Sequence, residues 1–360
     1  MSEAQELLAA IRADCRRPWT LMEVCGGQTH ALLRHGLNRL LPDRIRLIHG
    51  PGCPVCVTAE ERLDQAIALA TEADVILCTY GDMLRVPGSA GHTLLGARAG
   101  GGSVRIVYAP LDVLAIARDN PERRVVFLAV GFETTAPATA LLAQRALAEG
   151  LTNLELLVCH VRVPPVLDQL LGAGPAGSPV QAVLAAGHVC TVMGEAEYGP
   201  LVARHRRPIV ITGFSAVELL RGIHACIRQL EAGEHRLENA YPGAASAAGN
   251  TWGQALLRQV FTISDTPWRG LGVIPSGGLT LRPPFDQLAS RHTLTSGPAA
   301  DPAAAQPGST PPCPAGLVLQ GRITPRQCPH FGRRCTPDTP LGAPMVSSEG
   351  ACAAYHRYGG

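Results

Sequence analysis

The sequence predicts an α/β protein of two similar doubly wound parallel sheets, followed by a small cysteine-bearing C-terminal segment. Three observations carry this. Short β-rich runs alternate with helical stretches through the first two-thirds of the 360 residues. Several of those runs, such as VVFLAV and DVILC, are almost wholly apolar, as parallel strands covered on both faces are. Beyond Phe261 the texture changes to Gly/Pro-rich chain, a linker and a compact tail.

Strands are expected at Trp19–Val24, Ile45–His49, Asp74–Thr79, Val104–Tyr108, Val125–Val130, Leu154–Cys159, Val180–Ala185 and Pro208–Thr212. Helices are expected between them, among others at Gln28–Leu41, Ala59–Thr71, Thr135–Glu149 and Ser215–Ala232. So many strands suit two sheets better than one. The expected divisions are residues 1–125 and 126–265 for the two α/β domains and 266–360 for the C-terminal domain. Within the last, Trp268–Pro284 can add a hairpin, and Ser296–Pro312 (SGPAADPAAAQPGSTPP) is a low-complexity linker. The tail, Cys313–Gly360, is too short for its own core and needs a metal centre or docking.

Composition excludes several functions. Arg+Lys is 31 against Asp+Glu 29, so a net charge of +2 leaves no basic excess for a nucleic-acid binder. Every basic residue is Arg, so chemistry needing a lysine amine is absent: no Walker-A lysine, no Schiff base. No apolar run approaches the ~18 residues that span a membrane. The N-terminus, MSEAQELLAAIRADCRR, has no signal core. A cytoplasmic location is therefore expected, where thiols stay reduced. Twelve cysteines in such a chain point to metal or redox work.

The unusual residues sit after strands. Cys25 (MEVCGGQTH) follows the first, Cys53 and Cys56 (HGPGCPVCVT) the second, and YGDM the third. GFETTAP, with Glu133, follows VVFLAV; His160 follows LELLVC; GHVCTVMG, with His188, follows another apolar run. In open α/β sheets ligands bind at the carboxyl ends of strands, so these loops predict one site or two facing sites. Cys25 precedes a helix expected to begin near Gln28, which predicts a lowered thiol pKa suited to a nucleophile or soft metal ligand. The alternative is a buried, inert thiol. Cys53-Pro54-Val55-Cys56, on an exposed Gly-Pro-Gly turn, reads as a redox pair or half of a metal site. His30, Glu133, His160 and His188 are weaker individually, and Glu133 could instead start a helix. Cys15, Cys78, Cys159, Cys190 and Cys226 lie in apolar or helical settings and read as core. Cys313, Cys328, Cys335 and Cys352 could hold a tetrahedral zinc or a [4Fe–4S] cluster; their wide, uneven spacing favours the cluster.

Together, MEVCGGQTH, IHGPGCPVCVT, YGDMLRVPGS, VGFETTAP, GHVCTVMG, WRGLGVIPSGG and MVSSEGACAAY resemble the HypD family of [NiFe]-hydrogenase maturation proteins, from about Trp19 to the C-terminus. The resemblance implies two related α/β domains facing across a cleft and a C-terminal [4Fe–4S] domain. It implies a cytoplasmic scaffold that, with a HypC-like chaperone, holds the iron on which Fe(CN)₂CO is built for the hydrogenase large subunit. Cyanide would come from a HypE-like donor bearing a C-terminal thiocyanate. Carried onto this chain, Cys25 would ligate the iron or accept cyanide, and Cys53 and Cys56 would be the redox pair beside it. His30, Glu133 and His188 would line or support the cleft. Cys313, Cys328, Cys335 and Cys352 would hold the cluster. Where the family pattern has two further tail cysteines this chain has Ala315 and Pro344. The loss removes either a tail disulfide or cluster ligands; a lost disulfide accounts for a paired disappearance, and four thiols remain. A rival class from the same residues is a [4Fe–4S]-dependent thiol–disulfide reductase, which would have no need of Cys25. A structural zinc protein is a third.

Overall fold

A computed structural model describes residues 2–172, 177–291 and 313–359. Its strands are β1 (Trp19–Glu23), β2 (Ile45–His49), β3 (Val75–Thr79), β4 (Val104–Ile106), β5 (Arg124–Gly131), β6 (Leu154–His160), β7 (Ala182–Ala186), β8 (Ile209–Thr212), β9 (Leu237–Asn239), β10 (Phe261–Trp268) and β11 (Gly272–Leu281). The first eight lie where the apolar runs predict them. The short β9 and the strand β10 were not anticipated, so the hairpin begins at Phe261 rather than Trp268.

Two parallel sheets result, ordered β2-β1-β7-β8-β9 and β4-β3-β5-β6, beside the antiparallel β10-β11 hairpin. The first sheet is assembled from two stretches far apart in the chain, 19–49 and 182–239: β1 pairs with β2 on one side and with β7 on the other. The strands β3 to β6 form the second sheet as an excursion between them. The expected cut at 125/126 therefore corresponds to no boundary; it runs inside β5. Apolar runs reveal where strands are but not which strands they join, because a parallel crossover can reach any vacant edge.

Alternation sends neighbouring residues to opposite faces of the first sheet. Leu21, Leu184 and Val210 pack under the Glu3–Asp14 and Ala216–Ala232 helices, with Ile11, Leu220 and Ile223. Met22, Val183 and Ile209 face the other way, toward Val189, Tyr198 and Trp268. The Ala216–Ala232 helix is set at its start by a Ser215/Glu218 capping box and ended by Gly233 at φ 70°. The single helix expected at Gln28–Leu41 is two helices, Gly26–Arg34 and Leu37–Leu40, broken where Gly36 takes φ 64°.

The tail docks. Its last helix, Ala351–Tyr358, packs on the Gly26–Arg34 helix through Leu33, Ala354 and Tyr355. The linker expected at Ser296–Pro312 lies outside the described residues. Among the described residues no helix is long and apolar enough to cross a membrane.

Candidate functional site

The carboxyl ends of both sheets open onto one cleft of about 440 Å³, partly open to solvent. Tyr80 and Asp82 follow β3, Tyr108 follows β4, Thr134 follows β5 and His188 follows β7; Glu349 comes from the tail. Four of the six loops singled out in the sequence line this cleft, while the His160 loop faces a separate pocket and Cys25 is buried beside His188. Asp82 and Glu349 lie inside the YGDM and MVSSEGACAAY segments, yet the sequence alone does not single out either side chain. The Glu349 carboxyl is pushed up by burial and by the Asp82 charge.

Cys25 stands at the N-cap of the Gly26–Arg34 helix, which begins two residues earlier than expected. Its Sγ lies 3.6 Å from Nδ1 of His188. The thiol is not acidified, contrary to expectation. Burial pushes its pKa well up, and Glu23 and Glu349 push the same way, against backbone N–H groups of Gln28 and Gly27 that lower it. Desolvation of a thiolate outweighs a helix N-terminus here. Burial likewise lowers the His188 pKa, so the pair at rest is a neutral thiol beside a neutral imidazole.

Behind Cys25 lies a network invisible in the sequence. The parallel register sets Glu23 beside His49, and His49 Nδ1 meets Glu23 Oε1 at 2.7 Å. Glu23 Oε2 accepts from the Cys25 N–H at 2.8 Å, and the Thr29 hydroxyl donates to Oε1. Glu23 and His49 are 1% and 5% exposed, so this carboxylate works in a nearly dry setting. Single residues inside two apolar strands gave no signal; only the register joins them.

Cys53 and Cys56 are joined in a disulfide, with Cα atoms 5.2 Å apart. The preceding Gly50-Pro51-Gly52 turn is buried, not exposed as expected, because it is wedged against the Cys25 loop. A Cβ on Gly52 would meet the Cys25 amide nitrogen at 2.2 Å, and the Gly26 N–H donates to the Gly52 carbonyl at 2.8 Å. Pro54 and Val55 line the cleft.

Glu133 does not line the cleft. It is buried behind it, where its Oε1 accepts from the Val163 N–H at 2.9 Å while Oε2 has no partner. Burial raises its pKa to about 7. Nor does it start a helix; Thr135 occupies the N-cap of the Ala136–Ala148 helix. His30 is turned away too. Its Nε2 meets the Tyr358 hydroxyl at 2.9 Å, tying its helix to the tail. His160 is buried against Phe261 and bonded to Thr139, with its pKa pushed down to about 4 by burial. The five cysteines read as core are all buried.

In the tail, Cys313, Cys328, Cys335 and Cys352 line one tight pocket with apolar walls that include Phe331 and Met345. Among the described residues, no three His, Cys, Asp or Glu side chains gather as they would on a single metal ion. The four thiols line one closely packed pocket instead. The Leu341 N–H points at Cys335 Sγ at 3.4 Å, and a Cβ on Gly342 would reach 2.4 Å from Cys313 Sγ. Burial lifts the Cys313 pKa to about 11, and Cys335 and Cys328 add to it. A pocket ringed by four soft donors, with backbone N–H groups aimed at sulfur, fits the [4Fe–4S] donor set. Ala315 and Pro344 line this same pocket, so the positions that lack cysteine adjoin the thiols.

Comparison with known proteins gives one consistent picture. The HypD family model, described as "Hydrogenase formation hypA family", matches residues 2–359. A hydrogenase expression/formation protein HupD of Azotobacter chroococcum mcd 1 is 44% identical over 362 residues, covering 99% of this chain and 94% of that one. The hydrogenase maturation factor HypD of Azotobacter vinelandii is 43% identical over 362 residues, with the same coverage. The Escherichia coli K12 factor of that name is 43% identical over 355 residues, covering 98% and 93%.

Proposed function

The chain belongs to the HypD family, and from that membership we propose that it is a cytoplasmic hydrogenase maturation factor, a scaffold on which the Fe(CN)₂CO group of a [NiFe] hydrogenase is assembled. The observation that carries the reading is the Cys25–His188 pair, 3.6 Å apart, with His188 lining a cleft where loops of both sheets meet. The iron is cargo. A soft thiolate suits low-spin iron bearing cyanide and CO. A thiol raised by burial gives up its proton when a cation arrives to pair with the thiolate. The neutral His188 ring, carrying its own proton on Nε2, can receive that proton at Nδ1.

Cyanide release from a thiocyanate needs two electrons. As dithiol, Cys53 and Cys56 balance it: two R–SH plus R′–SCN give the R–S–S–R disulfide, R′–SH and HCN. Gly52 places that pair against the Cys25 loop, so cyanide would be freed beside its acceptor. A [4Fe–4S] cluster held by Cys313, Cys328, Cys335 and Cys352 would supply single electrons to restore the dithiol. The partners are a HypC-like chaperone and a HypE-like cyanide donor; the large subunit receives the product. The thiol–disulfide reductase reading leaves the Cys25–His188 pair without a task.

The test is infrared spectroscopy of the anaerobically co-purified complex with the HypC-like partner. Cyanide and CO bands are expected in the parent and absent in Cys25→Ala. Full bands in the alanine variant would remove Cys25 from the iron and sink this reading.

A further inference from the structure

The last helix, Ala351–Tyr358, carries Cys352, Tyr355 and Tyr358 at three-residue spacing. Cys352 lines the four-thiol pocket. Both tyrosines hold histidines of the first sheet's apparatus: Tyr355 OH meets His49 Nε2 at 3.1 Å and Tyr358 OH meets His30 Nε2 at 2.9 Å. Each pair also stacks edge to face, at 5.3 Å and 5.0 Å between ring centres. From His49 the chain of hydrogen bonds continues to Glu23 and ends on the Cys25 N–H. The tail touches the same loop directly, since a Cβ on Gly26 would lie 2.4 Å from Glu349 Cβ.

We propose that His49 is a positioning residue in a buried link, Tyr355–His49–Glu23–Cys25, through which the helix bearing Cys352 sets the geometry of the Cys25 loop. His49 suits the task because one ring offers two nitrogens on opposite sides. With Nδ1–H donating to the Glu23 carboxylate, Nε2 accepts from the tyrosine hydroxyl. Tyr355 is 7% exposed and His49 5%, so water does not replace a partner removed from the link. Movement of the last helix, as when the thiol pocket rearranges, is therefore transmitted to Cys25 rather than absorbed by solvent. That this loop is the one holding the iron rests on the maturation reading.

The test is amide hydrogen exchange, read by mass spectrometry, on the full-length reduced protein. Tyr355→Phe removes one hydroxyl and leaves the ring in place. It should speed exchange at residues 22–27 by about tenfold, the factor that one buried hydrogen bond carries. Tyr358→Phe should act near His30 instead. His49→Gln keeps a donor and an acceptor and should stay near the parent, whereas His49→Leu should match Tyr355→Phe. Parental exchange at residues 22–27 in both Tyr355→Phe and His49→Leu overturns the link. So does equal acceleration in His49→Gln and His49→Leu, since packing rather than hydrogen bonding would then govern the loop. The assay does not read the iron–cyanide group, so missing cyanide and CO bands would sink the maturation reading and leave this result standing.

Discussion

Sγ of Cys25 and Nδ1 of His188 lie 3.6 Å apart although 163 positions separate them in the chain. They meet because β1 and β7 are adjacent parallel strands, with Glu23 opposite Leu184, and each residue tops its own strand. The adjacent strands fix where the two helix starts stand, and with them the pair.

His188→Ala should therefore slow the growth of cyanide bands on the co-purified complex by about 10²-fold, the low end for a lost general base. The fold should survive, because the side chain packs on Phe214 at one edge of the cleft. A time course of infrared bands checks this; bands growing at the parental rate would dismiss His188 as the proton acceptor.

Cys53 and Cys56 should interconvert between dithiol and disulfide. Alkylation in denaturant with and without prior reduction, read by mass spectrometry, should show labelling that changes at this peptide and not at Cys78 or Cys226, which are free thiols. A pattern indifferent to redox poise would leave the Gly-Pro-Gly turn with only a shaping role.

Replacing any one of Cys313, Cys328, Cys335 or Cys352 by Ser should lower iron and acid-labile sulfide together and expose the tail to proteolysis. The reason is that cluster binding energy is also folding energy for a segment with so small a core. The visible spectrum of the purified protein separates this from a zinc site, since the cluster absorbs and zinc does not. About four irons retained without Cys352 would show that the ligand set is different.

Glu133 gives the stability a pH slope. Burial raises its folded-state pKa from 4.5 to about 7, so the native state keeps a proton that the unfolded state has already released. Its contribution is fully present below about pH 4.5 and is lost as pH rises through about 7. His160, pushed down to about 4, acts oppositely, favouring the native state as pH rises through the range between its two pKa values. Glu133→Gln keeps an acceptor for the Val163 N–H and removes the titration. It should raise the melting temperature at pH 8 relative to the parent and change it little at pH 4.5. Equal shifts at both values would mean that the carboxyl does not titrate with unfolding.

The eight principal strands, the position of the odd residues at strand ends and the gathering of four tail cysteines were legible in the sequence, because each depends on local pattern or on a count of soft ligands. Apolar runs such as VVFLAV specify a buried parallel strand by composition alone. The tertiary structure decided what those elements are next to. It sent β7 to β1 instead of to β6, and so brought His188 to Cys25. It set Glu23 beside His49 by register and buried both. It reversed the expected acidity of Cys25, since desolvation depends on what covers a thiol and not on which helix it begins. It also moved Glu133 and His30 out of the cleft, one onto the Val163 N–H and the other onto Tyr358. Burial, register and strand order are sums over distant parts of the chain, and no window of sequence contains them.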